Sequence, residues 1–332
     1  MRTPRSLSYS SMTLWEKNPE EFYFRYMADH QAPRLAQEPP MAVGAAFDAY
    51  VKAAINHRLY GRAISPAFEF PAIFESQVEP HLRDFALVAG KHVFKAYHAA
   101  GAFTDLMKLL LQSVEPPRFE FKVDALIAGA PFTGKPDCRF VLDFGFGLIH
   151  CILDWKVRGY CSKYSTSPSK GYMLCRDGYK AEKQSKSHMT EHNAYLAYNH
   201  RGLTINAGYM EFCNNEYADQ LCIYGWLLGE KPGDENVVGM IEEIAAKPAE
   251  PRPLLRVANH RARIKADHQQ KLQERIARCW TAVSTGNLFP DMTPEENASR
   301  REVLEQTAAG LGVTASPYDS WFNEVTRPQK KW

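Results

Sequence analysis

Two β-prone runs separated by a glycine-rich turn lie between Cys138 and Lys156, with acidic residues at their outer ends. Cys138-Arg139-Phe140-Val141-Leu142 and Leu148-Ile149-His150-Cys151-Ile152-Leu153 are the runs, and Asp143-Phe144-Gly145-Phe146-Gly147 supplies the turn. A hairpin here constrains the rest of the fold, because it sets Gly134-Lys135-Pro136-Asp137 beside Asp154-Trp155-Lys156. Asp154 and Lys156 are two apart, so on a strand they project from one face. Two carboxylates converging this way, Asp137 and Asp154, make a hard, oxygen-rich site suited to magnesium or manganese. A lysine beside them can orient a metal-bound water and stabilise charge on a phosphoryl oxygen. The set is the one expected of a metal-dependent phosphodiesterase. There are plainer readings. Pro136-Asp137 can simply shape a turn, and Asp154 and Lys156 can form a solvated strand face. Against the second stands Asp154's place at the end of an apolar run, where an unpaired carboxylate is costly. Asp143-Phe144-Gly145 is also the kinase metal-binding tripeptide, but no glycine-rich loop followed by Val-Ala-Ile-Lys accompanies it, so it reads as a turn.

Hydrophobic spacing predicts helices over about 10–28 and 42–57, the latter with Val43, Phe47, Tyr50 and Val51 on one stripe. Helical segments follow between about 75 and 113, where Leu82, Phe85, Val88 and Ala89 recur at helical spacing. Pro116-Pro117 breaks the chain, and Phe119–Asp124 alternates as a strand. Further on, the pattern predicts a helix near 184–200, a strand or loop over 203–210 and an amphipathic helix over 216–228. Strands over 237–244 and 254–257 and a helix over 266–285, ended by Gly286 and Pro290, come next. The tail after Pro317 reads as partly disordered. The expected class is α/β, with a mixed central β-sheet flanked by helices.

Four blocks in order resemble the PD-(D/E)xK nuclease superfamily, in particular its RecB-type exonuclease branch. The first runs from Leu7-Ser8-Tyr9-Ser10 to Asn18-Pro19-Glu20-Glu21-Phe22-Tyr23-Phe24-Arg25-Tyr26, similar to the S-x-S and C-P-x-x-F of the family's N-terminal helix. The second, Gly44-Ala45-Ala46-Phe47-Asp48, is similar to G-x-x-x-H. The third is Pro136-Asp137 with Asp154-Trp155-Lys156, and the fourth is Gln220-Leu221-Cys222-Ile223-Tyr224, similar to Q-x-x-x-Y. Together they span roughly residues 6–228. The resemblance implies a restriction-endonuclease-like core of about 6–290 with a basic insertion of about 157–210, in one domain over 1–315 followed by a tail over 316–332. It implies Asp137 and Asp154 as metal ligands with Asp48, Lys156 as the residue that orients the attacking water, and Gln220 and Tyr224 on the substrate side. The implied activity is a Mg2+- or Mn2+-dependent DNA nuclease, an exonuclease in recombination, repair or phage DNA processing, with DNA and a recombination or repair protein as partners. Asp48 stands where the family has histidine; aspartate binds the same cations through oxygen. Asn18 stands where iron–sulfur members have their first cysteine, and the seven cysteines are dispersed, so no iron–sulfur cluster is expected.

Alternatives stay open at several positions. Asp48 reads equally as a ligand or an exposed helix residue. Glu120 either completes the acidic set or forms a structural salt bridge. Gln220 and Tyr224, one helical turn apart, either face the substrate or pack under the sheet. A net charge of +2 does not mark a nucleic-acid binder. The segment from Lys156 to Lys186 nevertheless holds Arg158, Lys163, Lys170, Arg176, Lys180 and Lys183 with interleaved tyrosines. Such residues can neutralise phosphates and stack on bases, with Arg158 and Lys163 the nearest candidates for substrate contact, or the segment is simply a solvated, flexible loop. A protein of this fold that binds nucleic acid without cutting it is the second reading. The third is a zinc hydrolase using His188, Glu191 and His192 of His188-Met189-Thr190-Glu191-His192, an H-x-x-E-H pattern. No apolar run is long enough to span a bilayer, and the start of the chain lacks an apolar signal core. With dispersed, odd-numbered cysteines, these features predict a cytoplasmic protein in a reducing compartment; that the cell is a bacterium or a phage-infected host is what the resemblance implies.

Overall fold

The structure, a computed structural model, describes residues 2–30, 35–61, 65–145, 147–163, 172–176, 180–184, 196–200, 203–206, 208–248 and 254–310. The chain divides into two compact units. The larger comprises Gln37–Val123 and Gly134–Gln270; the smaller comprises Met1–Ala36, Asp124–Thr133 and Lys271–Trp332.

The larger unit is α/β, built on a mixed sheet flanked by helices. Its strands in chain order are β1 (Arg118–Phe119), β4 (Cys138–Asp143), β5 (Leu148–Arg158), β6 (Tyr172–Arg176), β7 (Lys180–Gln184), β10 (Val237–Lys247) and β11 (Leu254–Ala262). The spatial order is β1-β4-β5-β10-β11-β6-β7, with β5 and β10 parallel and the other pairs antiparallel. The β4–β5 hairpin forms where the sequence places it, and Asp143 Oδ1 accepts from the Gly145 N–H at 2.7 Å to close the turn. Gly145 has φ +81°, a conformation glycine adopts without steric cost. β10 lies between β5 and β11 and is buried along almost its whole length, including Glu242 and Glu243.

Successive residues of a strand face opposite sides, and β5 meets different helices on each. Trp155 and Val157 face the side of helix Pro39–Tyr60, with Phe47 and Asp48. Asp154 and Lys156 face the side of helix Asn215–Leu227. On the first side, helix Arg83–Ala99 packs against helix Pro39–Tyr60 through small residues. Its buried face is Ala86, Ala89, Gly90, Val93, Ala96 and Tyr97, while Phe85 and Val88 of the predicted stripe are exposed. A Cβ on Gly90 would lie 2.5 Å from Ala46 Cβ and 2.8 Å from its carbonyl carbon, so helix approach, not bulk, selected this face. Gly90→Val is expected to destabilise the fold by roughly 1–3 kcal/mol or more through overpacking, read as a lower urea midpoint at unchanged slope.

Other expectations are revised. β1 ends at Phe119 because Glu120 turns to φ +47° and leaves the sheet, so Phe119–Asp124 is not one strand. Instead β2 (Val123–Ile127) and β3 (Ala130–Gly134) pair separately. The predicted 184–200 helix is contradicted at both ends, since Lys180–Gln184 and β8 (Leu196–His200) are extended, and β8 pairs with β9 (Leu203–Asn206). A short helix, Met210–Cys213, follows. Much of the 157–210 stretch and the tail beyond Gly310 lie outside the described residues.

In the smaller unit, Ser8 caps helix Tyr9–Lys17 with a reciprocal Ser8/Ser11 capping box. The predicted 10–28 helix is interrupted at Asn18, whose extended backbone ends one helix while its side chain caps Pro19–Phe22. Proline at the first position of that second helix sacrifices no hydrogen bond. Leu7 bridges to Phe132 of the β2–β3 hairpin, and Trp15 Nε1 donates to the Leu288 carbonyl at 3.0 Å. Among the described residues no helix is long and apolar enough to cross a membrane.

Candidate metal centre

Every residue of the candidate centre belongs to the larger unit. Asp137 sits just before β4, one step beyond the ladder pair Cys138↔Leu153. With the ladder ended, its Oδ2 accepts from the Trp155 N–H at 3.0 Å, which fixes the carboxylate against β5. Asp48 comes from helix Pro39–Tyr60 and Glu120 from the left-handed turn after β1. Oxygen atoms of Asp48, Glu120 and Asp137 lie within 4.8 Å of one another. An all-oxygen donor set of this spacing fits a hard divalent cation such as Mg2+ or Mn2+.

Lys52 is the residue that sequence reasoning missed. It is 1% exposed, and its Nζ stands 2.6 Å from an Asp48 carboxylate oxygen, pairs with Glu120, and lies 3.6 Å from Asp137. Burial works against its charge, but Asp137, Asp48 and Glu120 together outweigh that and hold its pKa above the usual lysine value. Its signal was the i,i+4 spacing from Asp48, on a helix face also carrying Val51 and Ile55. Gln77, also missed, donates through Nε2 to Asp48 Oδ2 at 3.0 Å.

On the other side of the sheet, Asp154 is buried, and its Oδ2 is 2.6 Å from Lys156 Nζ. Gln220 clamps both partners, donating to Asp154 Oδ1 at 3.0 Å and accepting from Lys156 Nζ at 2.7 Å. It also donates to the Tyr224 hydroxyl at 2.9 Å. Gly134 allows helix Asn215–Leu227 to approach, since a Cβ there would lie 2.6 Å from a Leu227 methyl and 3.2 Å from the Tyr224 ring. Asp154, Lys156, Gln220 and Tyr224 are therefore one linked group, and the charge of Asp137, a member of the acidic cluster, also acts on Asp154 and Tyr224.

Arg158 is turned to the protein itself. Its Nε is 2.9 Å from buried Glu243 and its guanidinium donates to the Tyr217 hydroxyl at 2.6 Å. Lys163 is exposed, and its carbonyl accepts from Lys247 Nζ at 2.9 Å. His188, Glu191 and His192 lie outside the described residues. A cavity of about 200 Å³ opens beside Asp48 and Asp137, walled by Gly44, Phe47, Trp155 and Val157.

Burial pushes the Asp48 carboxyl up to about 7, with Lys52 opposing and Asp137 and Glu120 adding to the shift. Burial likewise raises Asp154 to about 7, reinforced by Asp137 and opposed by Lys156. Both values exceed those of an unfolded chain, so the folded state binds protons more tightly. The stability these groups contribute is full below about pH 4 and is lost as pH rises through about 7. In EDTA, the melting temperature is expected to fall between about pH 4 and pH 7, whereas saturating Mn2+ flattens the fall because the ion favours the ionised carboxylates. Thermal melts with and without the metal check this.

No family model matches the chain, and no curated protein matches it.

Proposed function

We propose that the chain is a divalent-metal-dependent nuclease of the PD-(D/E)xK type, acting on DNA as an exonuclease. The observation that carries this reading is the oxygen-only acidic cluster of Asp48, Glu120 and Asp137, with the buried Asp154–Lys156 pair held by Gln220 near enough for the Asp137 charge to act on Asp154. Asp137 and Asp154, with Asp48, would hold Mg2+ or Mn2+; Glu120 supplies a further oxygen. A bound ion lowers the pKa of a coordinated water and clamps the scissile phosphate. Lys156, 27% exposed and oriented by Gln220, would orient the attacking water and stabilise charge on the phosphoryl oxygen. Gln220 and Tyr224 keep Lys156 and Asp154 in register. Phage or prophage DNA processing, recombination and repair in the cytoplasm are the settings that suit this activity.

A second reading, a nucleic-acid-binding protein that does not cleave, draws support from Lys52, whose ammonium already neutralises part of the acidic cluster. One assay separates the two. End-labelled linear and closed circular DNA, single- and double-stranded, are incubated with Mg2+, Mn2+ or EDTA. Metal-dependent shortening of linear DNA with circles spared is expected; binding without cutting in either metal would overturn the nuclease reading.

A further inference from the structure

We propose that Lys52 takes the place of a second divalent ion, so that the centre loads a single metal cation per chain. The inference rests on the metal-dependent reading above. Lys52 Nζ is already seated among the three clustered carboxylates, 2.6 Å from Asp48, paired with Glu120 and 3.6 Å from Asp137. A Mg2+ or Mn2+ ion bound by the same three would need oxygens at roughly 2.0–2.2 Å. It would then stand within contact distance of the ammonium nitrogen, and two cations at that separation in a buried site repel strongly. Lys52 cannot simply withdraw into solvent. Its side chain is 1% exposed, its helix neighbours Val51 and Ile55 are fully buried, and Nζ lies 5.9 Å from the centre of the Trp155 ring.

Charge balance in the metal-loaded state, where binding of the ion favours the ionised carboxylates, gives the same answer. Four carboxylates, Asp48, Glu120, Asp137 and Asp154, face two buried or half-buried ammonium groups, Lys52 and Lys156. Two negative charges are left, which one divalent ion neutralises. A second ion would leave two positive charges where solvent does not screen them. Lys135, 44% exposed and 3.9 Å from Glu120, stays screened by water and does not alter that count. The single ion would then be held chiefly by Asp137, the clustered acid Lys52 engages least at 3.6 Å, with Asp154 beside it, while Asp48 and Glu120 answer to Lys52, a narrower ligand set than the general nuclease reading gives.

The test is Mn2+ stoichiometry on the full chain, by calorimetric titration and by loss of the free-ion electron paramagnetic resonance signal. Wild type is expected to bind one ion, Lys52→Met two, and Lys52→Arg one. Two ions in wild type, or one in a cooperatively melting Lys52→Met, would overturn the inference while leaving metal-dependent cleavage intact. No ion bound by wild type would sink the metal-dependent reading itself, and this one with it. The wild-type stoichiometry needs no variant, so it decides the matter even if Lys52→Met does not fold.

Discussion

Lys156→Ala is expected to cut linear DNA at least about 100-fold more slowly in Mg2+ while still binding Mn2+, the loss typical of removing one donor aimed at developing charge. The two readouts separate because Lys156 is not a ligand. It touches Asp154 Oδ2 at 2.6 Å and Gln220 Oε1 at 2.7 Å, and Gln220 still holds Asp154 Oδ1 after the change. Asp137→Asn is expected to lose both properties. Asp137 is the carboxylate common to the clustered acids and to the Asp154 side, and its Oδ2 is also the fixed point on the Trp155 N–H. Metal coordination contributes several kcal/mol to transition-state stabilisation, so cleavage by Asp137→Asn should fall by roughly 1000-fold or more. Single-turnover cleavage alongside Mn2+ titration decides between the roles. Lys156→Ala that cuts at the wild-type rate would remove it from the chemistry, and Asp137→Asn that binds Mn2+ as wild type does would remove Asp137 from the ligand set.

The hairpin that frames this centre was legible because its signals are local. Apolar runs, a glycine-rich turn and the spacing of Asp154 from Lys156 act within about twenty residues, and the ladder from Cys138↔Leu153 to Asp143↔Leu148 follows them. Helix Ala266–Thr285 was legible for the same reason. What sequence did not disclose depends on partners far along the chain. The exposed Phe85 and Val88 form as regular a stripe as the buried Ala89 and Val93. Only the close approach to Ala46 makes the small residues the inner face. Glu120 read as a strand residue, yet φ +47° and the pull of Lys52, sixty-eight residues away, take it out of the sheet. Lys52 escaped notice because a lysine on a long helix is ordinarily solvated. Its burial is set by three acids from three separate segments, of which only Asp48 is near in sequence.

That burial makes the second large effect one of stability. In EDTA, Lys52→Met is expected to lose roughly 3–5 kcal/mol, the range for removing one partner of a buried ion pair. Methionine replaces the stem without leaving a large void, so the loss reports charge more than packing. Asp48, Glu120 and Asp137 are then left facing one another without the ammonium. The loss should shrink at low pH, where Asp48, already raised to about 7, takes up a proton and the mutual repulsion eases. It should shrink again when Mn2+ is added at neutral pH, since an ion seated among the same oxygens supplies the missing positive charge and stabilises in proportion to its binding. Urea unfolding at about pH 5 and pH 8, with EDTA or Mn2+, measures all of these terms on one protein. A loss that ignores both pH and metal would mean that Lys52 serves packing alone, whereas recovery by both would identify the acidic cluster as a cation site that the chain fills with its own lysine.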